Sequence, residues 1–185
     1  MTNSEKIILD LCGGTGSWSR PYKEAGYDVR LITLPDYDVL TYEPPENVYG
    51  ILAAPPCTDF ASSGARWFAE KDRDGRTLES MGILVAVLEI IARSQPAFWA
   101  LENPIGRIRR WMHTPEMTFD PCDYGDPYTK RTHLWGRFNI PEKTPVEPTE
   151  GSKMWRCYGG KSERTKIMRS ITPPGFAQAF FEANR

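Results

Sequence analysis

Three short segments bring together residue types that could do chemistry, and each follows an apolar run. Asp10-Leu11-Cys12-Gly13-Gly14-Thr15-Gly16 is the first. Glycines at a strand-to-helix turn let the backbone approach a ligand closely, and the N–H groups that open a helix have no partner within it. A nucleotide-type cofactor could sit there, although the spacing is neither the dinucleotide pattern nor the phosphate loop with Gly-Lys-Ser/Thr. Ala54-Pro55-Pro56-Cys57 is the second. Two prolines stiffen the chain where a side chain must be aimed, a preparation that serves a nucleophile and that a thiol filling a core does not need. Leu101-Glu102-Asn103-Pro104 is the third, with an acid at the end of its run. A carboxyl there can recognise or protonate a ring nitrogen if burial raises its pKa; a helix cap or a surface ion pair is the plain alternative. Their order and shared strand-end setting make the three more specific together than apart.

The elements that must position them read as an alternation. Apolar runs at 7–12, 28–34, 49–54, 98–101 and 131–135 predict strands. A helix is expected over 17–25, with Ser17 and Ser19 as caps and Pro21 in its first turn. Another is expected over 77–94, where Leu78, Met81, Leu84, Val85, Leu88 and Ile91 recur at helical spacing, and a closing helix over 176–183. This order predicts an α/β domain with a mostly parallel sheet, and the carboxyl ends of its strands are where ligands bind. The interval between the second and third strands is short and rich in proline, so the doubly wound plan is trimmed. One domain over 1–185 accounts for the length of 185 residues.

Composition excludes several classes. With 40% hydrophobic and 12% aromatic residues the chain is not disordered. No apolar run reaches membrane-spanning length and MTNSEK lacks a signal-peptide core, so a cytoplasmic, monomeric protein is expected. Cys12, Cys57, Cys122 and Cys157 form no Cys-x-x-Cys pair, which argues against zinc and against a disulfide framework. The net charge of −1 neither favours nor excludes nucleic acid, so any phosphate-binding surface must be local.

Taken in order, these motifs resemble those of the DNA cytosine-5 methyltransferase family. Asp10 to Gly16 resembles its first, S-adenosylmethionine-binding motif. Pro55-Pro56-Cys57 with Phe60 and Ala61 is similar to its nucleophile motif, and Glu102-Asn103-Pro104 stands where the family has Glu-Asn-Val. Tyr124-Gly125-Asp126-Pro127 with Lys130-Arg131 resembles its Tyr-Gly-x-Pro-Gln-x-Arg-x-Arg segment, and Thr172-Pro173-Pro174 its last motif. The resemblance runs from Leu9 to about Ala183 and is nearest to the small members of phages and prophages. It implies a Rossmann-like methyltransferase fold with S-adenosylmethionine as cofactor, held by Asp10, Leu11, Cys12, Gly13, Gly14, Gly16, Asp38, Val39 and Pro55. Cys57 would add to cytosine C6, Glu102 would hold N3, and Arg131, or Lys130 beside it, would hold O2 or a phosphate. The target base would be flipped out of a duplex.

Two departures stand out. Cys12 replaces the phenylalanine usual in the first motif. The family's long target-recognition region shrinks to a loop at 137–168, expected to be irregular with at most a hairpin. Over 153–169, Lys153, Arg156, Lys161, Arg164, Lys166 and Arg169 against Glu163 give six positive charges and one negative, interleaved with Trp155 and Tyr158. Such a surface suits a phosphate backbone and an unstacked base, with Lys130, Lys161 and Arg164 as substrate-binding residues and DNA as partner. Arg107, Arg109 and Arg110 form a second basic patch. Two other readings stay open: cytosine-5 modification of a single strand, nucleotide or tRNA, and a silent S-adenosylmethionine-binding regulatory module.

Overall fold

The computed structural model describes residues 2–152 and 162–185. Among these, six strands form one sheet in the order β2-β1-β3-β4-β6-β5. They are β1 (Ile7–Leu11), β2 (Asp28–Ile32), β3 (Val48–Ala53), β4 (Phe98–Pro104), β5 (Met117–Phe119) and β6 (Thr132–Arg137). The first four run parallel. β6 lies antiparallel between β4 and β5, setting Glu102 opposite Leu134 and Asn103 opposite His133. This is the expected Rossmann-like α/β plan. Residues 33–47 form turns without a helix, so the plan is trimmed where the prolines predicted.

Successive side chains of the inner strands point to opposite faces, and both faces are covered. Leu9, Leu11, Ile51, Ala53, Leu101 and Trp135 meet α3 (Arg76–Ser94) on one side. Ile8, Leu52, Ala100 and Leu134 meet Trp18, Tyr22, Phe176 and Phe180 on the other, from α1 (Arg20–Glu24), its approach, and α5 (Pro174–Ala183). Rings dominate that second layer. Phe119 stacks on Phe176 with centroids 3.9 Å apart, and Trp18 meets Phe180 edge-on at 5.4 Å. No helix among the described residues is long and apolar enough to cross a membrane.

The structure corrects four local expectations. α1 is shorter than 17–25, and neither serine caps it by its side chain: Ser19 Oγ donates to Asp10, and Ser17 Oγ accepts from the N–H of Thr172. Of the expected inner residues of α3, Leu84 and Ile91 are buried and Met81 and Leu88 pack against the core, but Leu78 and Val85 are 77% and 47% exposed, and Thr77, Ser80, Val87 and Ile90 are buried as well. Thr77 and Ser80 turn inward because charged partners wait for their hydroxyls, as described below. A six-residue helix, α2 (Phe68–Arg73), precedes α3. The end of the loop at 137–168 is helical instead of irregular: α4 (Glu163–Ser170) starts at Ser162, whose hydroxyl accepts from the N–H of Thr165 at 3.2 Å. A run of charge hid that ordinary serine cap. Lys153, Trp155, Arg156, Cys157, Tyr158 and Lys161 lie outside the described residues.

Candidate active site

The segments that leave β1, β3 and β4 emerge at one edge of the sheet. Ala54 N–H donates to the carbonyl of Leu11 (2.9 Å), and Asn103 Nδ2 donates to the carbonyl of Pro55 (3.1 Å). Asn103 is fully buried, so that bond fixes the Pro-Pro-Cys segment against β4. The first turn of backbone after the prolines closes on Cys57 itself, whose carbonyl accepts from Phe60 (3.0 Å) and Ala61 (2.8 Å).

Cys57 and Glu102 share one electrostatic environment. Burial is the largest cause raising the Cys57 thiol pKa, and the Glu102 charge adds to it; Lys130 and Arg169 pull the other way. Burial likewise raises the Glu102 carboxyl, with Lys130 opposing. Thiol, carboxyl and ammonium therefore lie within electrostatic reach of one another. Lys130 Nζ donates to the carbonyl of Arg169 (3.0 Å), which ties it to α4. Arg131 is placed differently. Its guanidinium is 63% exposed and gives Nε and Nη2 to Asp120, each at 2.9 Å. Of the two adjacent cations, Lys130 acts on the pair, whereas Arg131 is paired with Asp120. Arg164 is exposed on α4.

A buried polar network that the sequence did not reveal holds the Cys57 loop. Lys71 Nζ meets Asp59 Oδ1 at 2.9 Å and donates to the carbonyl of Thr58 at 2.5 Å. Ser80 Oγ donates to Asp59 Oδ2 (2.6 Å). Burial works to raise the Asp59 pKa, but Ser80 and Lys71 outweigh it and hold the carboxyl below its usual value. Arg107 is buried as well: Nε donates to the carbonyl of Asp59 (2.9 Å), Nη2 to Thr77 Oγ1 (2.7 Å), and Nη1 meets Asp72 (2.8 Å). Its backbone N–H donates to the carbonyl of Phe60, and Gly106 is glycine because a Cβ there would stand 2.0 Å from that same oxygen. Arg107 is thus a brace instead of part of a free basic patch. Breaking a buried pair leaves a charge uncompensated, so Asp59→Ala should destabilise the fold by about 3–5 kcal/mol. Urea unfolding checks this, and a change below about 1 kcal/mol would remove the network from the account.

The turn after β1 has a different character. Cys12, Gly14 and Gly16 all take left-handed φ, at 58°, 56° and 67°. Gly13 is tight for another reason: a Cβ there would lie 2.0 Å from Asp10 Oδ1. Gly14 is exposed, and a Cβ there would make ordinary contact with Ser170 Oγ, 3.5 Å away. Cys12, with Asp38 within electrostatic reach, has a thiol pushed up to about 12 chiefly by burial, so it is inert. Val39 packs in the same core.

Asp10 is fully buried, accepts from Ser19 Oγ (2.5 Å) through Oδ2, and leaves Oδ1 without a partner. Burial raises its pKa to about 6, against the lowering effect of Ser19. A raised carboxyl pKa favours folding in the protonated form. Its contribution is complete below about pH 4 and is lost as pH rises through about 6, a cost of about 3 kcal/mol by neutrality. Asp10→Asn should flatten that part of the stability–pH profile. Parallel urea midpoints for both proteins from acid to neutral pH would contradict the assignment.

The chain matches no protein-family model and no curated protein. It is similar to a solved structure described as a candidate DNA modification methyltransferase encoded within a prophage of E. coli. The likeness covers 85% of this chain at 17% identity, with a TM-score of 0.50. The likeness is one of fold. This chain spans 56% of that protein's length. A second match, a DhpI–SAM–HEP complex, has 14% identity over 78% of this chain and 65% of the other, and its TM-score of 0.31 carries no weight for the fold.

Proposed function

We propose that the protein transfers a methyl group from S-adenosylmethionine to C5 of cytosine in DNA, through a covalent bond between Cys57 and C6. The observation that carries this reading is that the buried Cys57 thiol and Glu102 carboxyl lie within electrostatic reach of Lys130 and that the Glu102 charge acts on the thiol, on segments that leave adjacent strands. The description of the prophage-encoded protein as a DNA modification methyltransferase supports DNA as the substrate class.

The residues around β1 fit the cofactor. The left-handed turn at Cys12, Gly14 and Gly16 exposes Gly14 and Thr15, and the buried Asp10 Oδ1 lacks a donor that an ammonium or hydroxyl of the cofactor would supply. Asp10, Leu11, Cys12, Gly13, Gly14 and Gly16 would hold it, with Asp38, Val39 and Pro55. When bound, it supplies an electrophilic methyl group on a sulfonium.

The chain's own residues manage the nucleophile and one proton. Cytosine C5 is a poor nucleophile until something adds to C6. In net terms the Cys57 proton passes to Glu102, which leaves a thiolate beside a neutral carboxyl and removes the like-charge penalty between them. The thiolate forms the S–C6 bond as Glu102 protonates N3, so C5 becomes enamine-like and accepts the methyl group. Loss of the C5 proton to a base and of the N3 proton to Glu102 then expels Cys57 as thiolate and restores the aromatic ring. Lys130 favours the anionic sulfur throughout.

Mass spectrometry of DNA nucleosides from cells expressing the protein tests the proposal. The reading requires 5-methylcytosine with the wild type and none with an empty vector. Methylation on an exocyclic nitrogen instead would overturn the C5 assignment.

A further inference from the structure

The two segments that carry Cys57 and Glu102 onward do not part at the sheet edge. Ser62 N–H donates to the carbonyl of Ile105 (2.9 Å), Arg107 N–H to that of Phe60 (2.8 Å), and Ala61 bridges Gly106. Beyond this seam they enclose an open cleft of about 410 Å³ lined by Ser62, Phe68, Gly106, Arg107, Arg109 and Arg110. Arg107 is committed to its brace, with its guanidinium 3.9 Å over the Phe68 ring. Arg109 and Arg110 are exposed, and their side chains donate no hydrogen bond to any described residue.

Two tryptophans adjoin the lining in the chain, Trp67 immediately before Phe68 and Trp111 immediately after Arg110. Trp67 is 48% exposed, with the Arg66 guanidinium over its ring at 5.2 Å, and Trp111 is 46% exposed, with its ring edge-on to Phe60. Indoles are costly to leave half in water, and each here follows an exposed arginine in the chain, Arg66 before Trp67 and Arg110 before Trp111. Arginines grip phosphates, and indole faces stack on any unpaired base. A base in a duplex is already stacked and offers no free face.

Resting on the reading that Cys57 acts on cytosine, we infer that this cleft and its tryptophans hold a single-stranded DNA segment flanking the target base, with Arg109 and Arg110 on phosphates and Trp67 and Trp111 under bases. The cleft begins five residues after Cys57 and four after Glu102, on the same two segments, so a strand whose cytosine meets the pair can continue onto it. The substrate class is then unpaired DNA, or a duplex opened before it binds.

Fluorescence anisotropy with a labelled oligodeoxynucleotide, alone and as a blunt duplex, tests this on the full chain across a salt series. The wild type should bind the single strand roughly tenfold more tightly than the duplex. The double variant Arg109→Gln/Arg110→Gln should reduce the slope of log affinity against log salt by about 1.4, two single-strand phosphates at about 0.7 each. Trp67→Ala should weaken the single strand about tenfold with the slope retained. Equal or tighter binding of duplex, an unchanged slope in the arginine variant, or no binding of either nucleic acid overturns the inference. The same titrations on Cys57→Ser separate it from the reading it rests on. Binding that follows this pattern without any methylated cytosine leaves the cleft standing and removes the chemistry; methylated duplex insensitive to the cleft variants does the reverse.

Discussion

Cys57→Ser should lower methyl transfer by roughly four orders of magnitude or more, with folding and cofactor binding retained. A hydroxyl is almost never ionised near neutral pH, and no described group near Cys57 is a histidine that could take its proton. The side-chain volume hardly changes, and the loop is held from elsewhere: by Asn103 on Pro55 and by Lys71, Ser80 and Arg107 on the residues after Cys57. Loss of activity with an unchanged melting profile is therefore the expected pair of results. A radiolabelled methyl-transfer assay with circular dichroism reads both.

Glu102→Gln should cost about 10²- to 10⁴-fold in transfer, because an amide keeps the shape of the carboxyl and cannot shuttle a proton. The pH dependence should also change form. The working pair holds one proton between Cys57 and Glu102, so the wild-type kcat/KM profile should be bell-shaped. With Gln the acidic partner is gone, and a single limb should rise with pH as the thiol ionises. The neighbouring negative charge raises the Cys57 pKa, so its removal should move alkylation of Cys57 by iodoacetamide to lower pH. Alkylation curves that coincide for wild type and variant would show that Glu102 does not act on the sulfur.

The parts of this arrangement that were legible in the sequence are local ones. A buried parallel strand is a continuous apolar run and its end is marked by glycine, proline or an acid, so the order of residues alone reveals the edge carrying Asp10, Cys57 and Glu102. Contacts between distant segments leave no such trace. Lys71 and Asp59, or Arg107 and Thr77, are brought together only by the folding of α2 and α3 against the Cys57 loop. The same network explains what the spacing of α3 missed: it places Leu84 and Ile91 correctly but cannot anticipate that Ser80 and Thr77 belong inside while Leu78 is left in water. Lys130 and Arg131 are adjacent in sequence, and only the fold pairs Arg131 with Asp120 while Lys130 acts on the sulfur. The serine cap of α4 was visible in principle, but its charged residues carry no apolar stripe to announce a helix.

The covalent bond is the centre of the account, and a single measurement addresses it. Single-stranded DNA carrying 5-fluorocytosine at one cytosine, incubated with the wild-type protein and S-adenosylmethionine, should form an adduct that survives denaturation, since fluorine does not leave C5 as a proton does and Cys57 cannot be expelled. Proteolysis and mass spectrometry should place the nucleotide on the peptide containing Cys57. An adduct on the peptide of Cys12, Cys122 or Cys157, or methyl transfer to ordinary cytosine at the wild-type rate by Cys57→Ser, would contradict it.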